Sequence, residues 1–352
     1  MNTSTFSIAG TPIGTDHPPY LIAELSGNHN KSLELSKEII RHAAASGANA
    51  IKLQTYTPET MTLDVQHDDF YINDENSPWH GRYLYNLYED AFMPWEWQEE
   101  LMFEAHSLGL TFFSTPFDET AVDFLESLNV PAYKIASFEN TDIPLLQKVA
   151  QTGKPIIISC GLISLIELEA TIDAITQAGC QHYALLKCTT SYPAPVTDSN
   201  ISTIPDMRDR FKCEVGLSDH TLGIGSALAA VAQGASIIEK HLTLNRNDGG
   251  VDSTFSIEPS EFCTLSVESK NAWLALGVIH YGPTNSERET LKSRRSIYIA
   301  QNMEPGQIVT EHQIRRVRPG NGLAPVHYHE LIGKKAKRGI PKGTPATWDL
   351  FD

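Results

Sequence analysis

Short apolar runs recur along this chain about every 25 residues, each followed by a longer amphipathic stretch. They cover 20–25, 50–56, 111–114, 132–136, 155–159, 183–188, 213–217 and 236–242. Runs that are continuously apolar rather than alternating belong to strands covered on both faces, the setting of a parallel sheet. Helical spacing follows at 32–45, 95–108, 119–128, 143–151, 164–178 and 259–276. The stretch 222–234, rich in Ala, Gly and Leu and free of proline, reads as one more crossover helix. Eight βα units in about 280 residues predict a closed (β/α)8 TIM barrel rather than an open doubly wound sheet.

Polar residues collect where those strands end. In chain order they are Glu24; Lys52 and Gln54; Ser114 and Thr115; Lys134 and Ser137; Ser159; Lys187 and Thr190; Ser218 to His220; and Glu239 to His241. The carboxyl-terminal rim of a βα barrel is where active sites are built. Lysines and hydroxyls converging there require a common anionic target, a phosphate or carboxylate whose acceptor oxygens match ammonium and hydroxyl donors. His220 and His241 end the last two strands, which the helix between them makes parallel neighbours. Two neutral imidazoles side by side form half of a divalent metal site, with positions open to water and substrate. If each imidazole only hydrogen-bonds within its own loop, no ion is implied.

An acidic, aromatic stretch at 58–94, with Trp79, Tyr83, Tyr85, Tyr88 and Phe92, interrupts the second unit. Placed after a barrel strand, it covers the mouth, makes subunit contacts or decorates the surface. Tyr281-Gly-Pro-Thr-Asn-Ser286 reads as a linker. Beyond it come Gly and Pro turns and short β-like runs at 296–300 and 346–349. The expected organisation is a barrel over 1–280, a linker over 281–290 and a small β-rich domain over 291–352.

The formal net charge of −16 is uneven: from Asn285 onward there are 12 Lys+Arg against 7 Asp+Glu, which leaves 15 against 36 before it. An acidic body disfavours nucleic acid as a partner. The tail's excess of +5 beside a body of −21 favours docking between them. No apolar run approaches bilayer length and the amino terminus lacks the basic start and apolar core of a signal sequence, so a cytoplasmic protein without a membrane partner is expected. The five cysteines have no metal-type spacing. Cys160, Cys188 and Cys213 lie in or beside apolar runs and are expected to act as small hydrophobes.

Several ordered motifs carry a family resemblance: Ile22-Ala-Glu-Leu-Ser-Gly-Asn-His-Asn30, Ile51-Lys-Leu-Gln-Thr-Tyr56, Ser114-Thr-Pro-Phe117, Tyr133-Lys-Ile-Ala-Ser137, Gly216-Leu-Ser-Asp-His-Thr221, Glu239-Lys-His241 and Arg318-Pro-Gly-Asn-Gly322. Together they resemble the sialic acid synthase family, which joins phosphoenolpyruvate to an amino-sugar aldehyde. The tail is similar to the antifreeze-like (SAF) domain of these enzymes. Ser26-Gly-Asn-His-Asn30, Gln54-Thr-Tyr-Thr-Pro58 and Ser77-Pro-Trp79 with Pro94-Trp-Glu-Trp97 look most like the pseudaminic acid synthase branch.

The resemblance implies a divalent cation on His220 and His241, Mn²⁺ first with Mg²⁺ or Co²⁺ as alternatives. It places Lys52, Thr115, Lys134, Ser137, Ser159, Thr190 and Ser218 around phosphoenolpyruvate, and Gln54, Tyr192, Asp252 and Arg318 on the sugar. Glu24 joins the two histidines as a catalytic residue, near the reacting carbons. One departure matters: N-acetylneuraminate synthases carry an asparagine two residues before the tyrosine, where this chain has Thr190. A hydroxyl offers a different hydrogen-bonding reach, so the sugar preference is not taken from that branch.

The implied substrate is 2,4-diacetamido-2,4,6-trideoxy-L-altrose, and the implied assembly is a domain-swapped homodimer in which Arg318 reaches the partner's barrel. N-acetylneuraminate and legionaminate synthesis are the alternatives within the family. A Schiff-base aldolase using Lys134 or Lys187 is a different enzyme on the same scaffold. A non-catalytic carbohydrate-binding protein on a decayed barrel is a different class.

Overall fold

The computed structural model describes residues 6–352. A hairpin of β1 (Phe6–Ile8) and β2 (Thr11–Ile13) opens the chain, with Phe6 stacked on His182 just before a barrel strand. The barrel strands are β3 (Tyr20–Glu24), β4 (Ala50–Thr55), β5 (Thr111–Pro116), β6 (Tyr133–Ile135), β7 (Ile156–Ser159), β8 (Tyr183–Cys188), β9 (Glu214–Ser218) and β10 (Ile237–His241). They pair in sequence, all parallel, and β10 closes on β3. The closed eight-stranded barrel expected from the apolar runs is what forms.

The strands are buried on both faces, as their unbroken apolar runs require: Ile22, Leu53, Phe112, Ile157 and Leu185 are all inaccessible to solvent. Local signals start the helices. Ser32, Asp118 and Asp142 each accept a backbone N–H of the first turn, and Ser164 with Glu167 forms a capping box. The sequence pattern had no helix inside the insertion, where Leu84–Ala91 is helical, nor one at Thr203–Phe211. Both are about nine residues or fewer, too short for periodicity to stand out.

The chain divides into two units, Met1–Gly277 and Val278–Asp352. The second has its own core of Ile297, Ile299, Val309, Ile314, Leu331 and Phe351. There β11 (Ser296–Ile299) pairs antiparallel with β12 (Ile314–Val317). The β-like run at 346–349 does not form a strand. Ala346 N–H donates to the Ile297 carbonyl and its carbonyl accepts the Leu323 N–H, after which Trp348–Leu350 turns into a 3-10 helix. The true partner of β11 was hidden because only Ile314 of Ile-Arg-Arg-Val is buried. Among the described residues no helix is long and apolar enough to cross a membrane.

Candidate active site

Strand register sets the site. Glu24 pairs with Lys52 on one side and His241 on the other, and Glu239 pairs with Ser218. In-register neighbours of a parallel sheet share a face, so Glu24, Lys52 and His241 enter the barrel together, and Glu239 with Ser218, two residues earlier on β10, enters beside them. Lys52 Nζ donates to Glu24 Oε1 at 2.7 Å and to Thr115 Oγ1 at 3.0 Å, and Gln54 Nε2 donates to Glu24 Oε1 at 2.9 Å. Lys134 Nζ donates to Ser159 Oγ at 2.6 Å. Both ammoniums face Glu239 Oε1, at 3.9 and 3.7 Å, and Ser218 Oγ donates to the same oxygen at 3.4 Å. The other oxygen of Glu239 has no hydrogen-bond partner among the described residues.

Burial favours neutral forms, and the pairing decides which groups stay charged. Burial raises the Glu24 carboxyl, but His241 and Lys52 together hold it well below the usual carboxylate range. Burial takes His241 down to about 3, so its imidazole is neutral near pH 7 and Lys52 is the cation that keeps Glu24 ionised there. Burial and Lys52 lower the Lys134 ammonium against the pull of Glu239. With two carboxylates offsetting two ammoniums, this floor has no surplus positive charge for a multiply charged anion.

The two imidazoles supply a place for such charge. Their ring centres lie 5.3 Å apart. His220 Nδ1 sits 3.0 Å from the Thr189 carbonyl, so that nitrogen carries the proton and Nε2 keeps its lone pair. His241 Nδ1 lies 3.1 Å from Ser26 Oγ and its Nε2 lies 3.3 Å from Glu24 Oε2. Ser26 reaches that position with φ of 47°, a left-handed conformation that costs a non-glycine residue about 1–2 kcal/mol. Asp252 stands 3.9 Å from His241 Nδ1, accepts the Gly27 N–H at 3.2 Å, and is raised by burial to about 6. Among the described residues no group of three or more His, Cys, Asp or Glu side chains is arranged to hold a metal. His220 and His241 are the residues there that could hold an ion, with water and substrate completing its coordination.

A second cluster lies on the loops after β6, β7 and β8. Asn140 Nδ2 ties the loop after β7 by donating to the Ser159 and Gly161 carbonyls at 3.1 and 2.8 Å. Gly161 N–H donates to Ser137 Oγ at 3.2 Å. A Cβ at Gly161 would fall 2.0 Å from Thr190 Oγ1 and 2.7 Å from Ser137 Oγ, so only glycine lets the two hydroxyls close in. Cys188 is more than a small hydrophobe. Its Sγ is 3.9 Å from His220 Nδ1 and 3.8 Å from Thr190 Oγ1.

These groups open into a cavity of about 470 Å³. Glu24, Lys52, Gln54, Lys134, Ser137, Ser159, Tyr192, Ser218, His220, His241 and Asp252 line it. Thr115 stands behind Lys52, and Thr190 beside Ser137 and Gly161. Arg318 belongs to the second unit, where it is exposed and shares a pocket with Arg315 and Lys342. The insertion is neither decoration nor remote: Trp79 packs on Tyr192 and Phe255 with centroids 5.4 and 6.3 Å away, and its indole N–H donates to the Val251 carbonyl at 2.9 Å. Sequence reasoning missed Ser26, Gly161 and Cys188 and gave Glu239 no role. Of these only Glu239, two residues before His241 on a strand and so on the same face, had a usable signal.

Residues 39–281 match the model of the NeuB family, and residues 294–352 match that of the SAF domain. Pseudaminic acid synthase of Helicobacter pylori is 40% identical over 335 residues, 94% of this chain and 97% of that protein. N,N'-diacetyllegionaminic acid synthase of Campylobacter jejuni is 34% identical over 326 residues, 90% and 96% of the two chains. The crystal structure of N-acetylneuraminic acid synthetase from Leptospira borgpetersenii, in complex with citrate, superposes with a TM-score of 0.72 at 32% identity, covering 82% of this chain and 95% of that one. A family match over most of the barrel, together with relatives 34% and 40% identical over nine-tenths or more of this chain, means that the chain belongs to the NeuB family.

Proposed function

We propose that this protein is a pseudaminic acid synthase: it condenses phosphoenolpyruvate with 2,4-diacetamido-2,4,6-trideoxy-L-altrose and water to give pseudaminic acid and phosphate. The observation that carries the reading is the buried floor in which Lys52 and Lys134, each tied to a hydroxyl, stand beside Glu24 and the histidine pair. The branch is supported by 40% identity to a pseudaminic acid synthase against 34% to a legionaminic acid synthase, over nearly the same span.

Lys52, Lys134 and Ser218, with the hydroxyls of Ser137, Thr190 and Ser159 around Gly161, bind the phosphate and carboxylate of phosphoenolpyruvate. Gln54, Tyr192 and Asp252 orient the open-chain sugar so that its aldehyde carbon meets C3 of the enol phosphate. A new C–C bond forms there as the aldehyde C=O π bond breaks, its oxygen taking up the proton that the added water gives up, and an oxocarbenium-like centre is left at C2. Glu24, ionised, stabilises that centre and positions the water that adds to it, and phosphate leaves by C–O cleavage. A divalent cation, Mn²⁺ first, would be held by His220 and His241 and act as a Lewis acid on the sugar carbonyl, while offsetting the anionic charge that the floor lacks the means to balance. The reaction belongs in the cytoplasm, where phosphoenolpyruvate is made.

We infer a homodimer with composite sites. Large apolar side chains stand exposed on the segments following four successive rim strands: Phe138, Leu162 and Ile166, Val196, and Leu222. A crescent of this kind marks an interaction surface, and a second copy bringing its Arg318 to the sugar is the occupant that fits.

The test is phosphate release from phosphoenolpyruvate with a panel of N-acetylated hexoses and 6-deoxy diacetamido hexoses. Lys134, whose ammonium is lowered by burial, keeps a Schiff-base aldolase in view. Borohydride trapping with pyruvate should give no adduct; a covalent adduct on Lys134 would replace the synthase reading.

A further inference from the structure

The insertion carries a recognition element of its own. Between 58 and 94 it holds eight Asp and Glu residues and one Arg. None of these charged groups lines the cavity. What lines it from this segment is Met61, Ile72, Trp79 and one stripe of the helix Leu84–Ala91. That stripe is Leu84, Leu87, Tyr88 and Ala91, spaced i, i+3, i+4 and i+7, the pattern by which a helix presents an apolar face to a core. Here the face is turned to the cavity, and Met61, Ile72, Trp79 and Leu84 keep part of their surface open. Apolar surface of this kind is stabilised when a ligand's apolar groups cover it.

The cavity is thus bipolar. The strand ends and the loop after β10 bring the charged groups, Glu24, Lys52, Lys134, Glu239 and Asp252, with the two histidines; the insertion brings an apolar wall. A substrate fixed by its reacting end among the charges presents its far end to that wall. We infer that Met61, Ile72, Leu84 and Leu87 form a specificity wall selecting a sugar whose far end carries methyl groups, the C6 methyl of a 6-deoxy hexose and an acetamido methyl, over one that ends in hydroxyls. This rests on the synthase reading and adds to it the residues that choose the sugar. An apolar wall leaves a hydroxyl without a hydrogen-bond partner, which discriminates by about 10- to 100-fold for one group.

The experiment measures kcat/KM for a 2,4-diacetamido-2,4,6-trideoxy hexose and for its 6-hydroxy counterpart at saturating phosphoenolpyruvate. Wild type is compared with Ile72→Asn in the loop and Leu84→Gln on the helix, with Leu84→Met as a control that keeps the wall apolar. Wild type should prefer the 6-deoxy sugar by about 10-fold or more. Each polar variant should cut that preference at least about fivefold, through the sugar KM, with the KM for phosphoenolpyruvate unchanged. Leu84→Met should keep the preference. The two sites are independent, so either folded variant decides the matter. If wild type turns over neither sugar, the synthase reading fails; if it turns over the 6-deoxy sugar and the ratio is the same in a folded polar variant, the wall is rejected while that reading stands.

Discussion

Lys52 Nζ lies 2.7 Å from Glu24 Oε1, with both side chains buried, and the same carboxylate reaches His241 Nε2 at 3.3 Å through its other oxygen. One carboxylate therefore joins the Lys52 ammonium to the His241 imidazole.

That geometry makes Glu24→Gln a functional probe with a stability signature. The amide keeps the shape and loses the charge, so kcat should fall at least about 100-fold. The KM for phosphoenolpyruvate should move far less. Leaving Lys52 without its close partner should also cost about 3 kcal/mol of stability. Removing both charges in Glu24→Gln with Lys52→Met should recover part of that loss, because a buried pair is worth little net and a buried single charge costs much. Strictly additive losses in a denaturation cycle would show that the pair is not coupled.

Cation dependence follows from the paired imidazoles. Chelator should abolish phosphate release, added Mn²⁺ should restore it, and His241→Ala should remove it even in excess Mn²⁺. Full turnover by the chelated protein would end the role assigned to His220 and His241.

Most of the barrel was legible because the signals were local and redundant. An unbroken apolar run such as Ile156 to Ile158 has one favourable place, inside a parallel sheet, and its polar end, Ser159, then falls on the rim. Glu24, Lys52, Lys134, Ser159 and Ser218 were found by that rule alone. Tyr192 and Asp252 lie on loops, where no period fixes the direction of a side chain, and the family resemblance supplied them. Gly161, Ser26 and Cys188 stayed hidden for other reasons. A glycine is informative only when its neighbours in space are known, Ser26 acts through a strained backbone, and Cys188 is indistinguishable in sequence from a buried hydrophobe. The helix at Leu84 to Ala91 was missed because its apolar stripe is short and serves a cavity rather than a core.

Glu139 gives a pH-dependent prediction. Burial raises its carboxyl to about 7, only partly offset by Lys134, and its Oε2 has no hydrogen-bond partner among the described residues. A carboxyl raised in the folded state favours folding fully below its unfolded value near 4.5, and that contribution is lost as pH rises through about 7. Glu139→Gln removes the titration. The variant and wild type should melt together near pH 4.5, and above pH 7 the variant should be the more stable by on the order of 2 kcal/mol. Melting curves collected between those limits check the sign, and a variant that is less stable at pH 8 would contradict it.

The last prediction concerns Arg318, which is exposed in a small unit rich in cations. A guanidinium is suited to bidentate recognition of polar and anionic groups, and beside it Arg315 and Lys342 line the same pocket with no carboxylate among them. In the proposed dimer a second copy's barrel would offer the complement: a body with an excess of 21 negative charges, and exposed Phe138, Ile166 and Val196 around the rim. Apolar contact supplies association while charge complementarity sets the register, so a second copy can complete each site. Arg318→Ala should then weaken sugar use, with KM for the sugar raised at least about tenfold, a loss of roughly 1.4 kcal/mol. An ordinary exposed ion pair would give almost no effect. Mixing Arg318→Ala subunits with His241→Ala subunits distinguishes the two arrangements. In a heterodimer built in trans, one of the two sites combines the intact barrel of the first chain with the intact Arg318 of the second, so phosphate release should return in part. No recovery, with subunit exchange confirmed by mass, would mean that each Arg318 serves its own barrel or none.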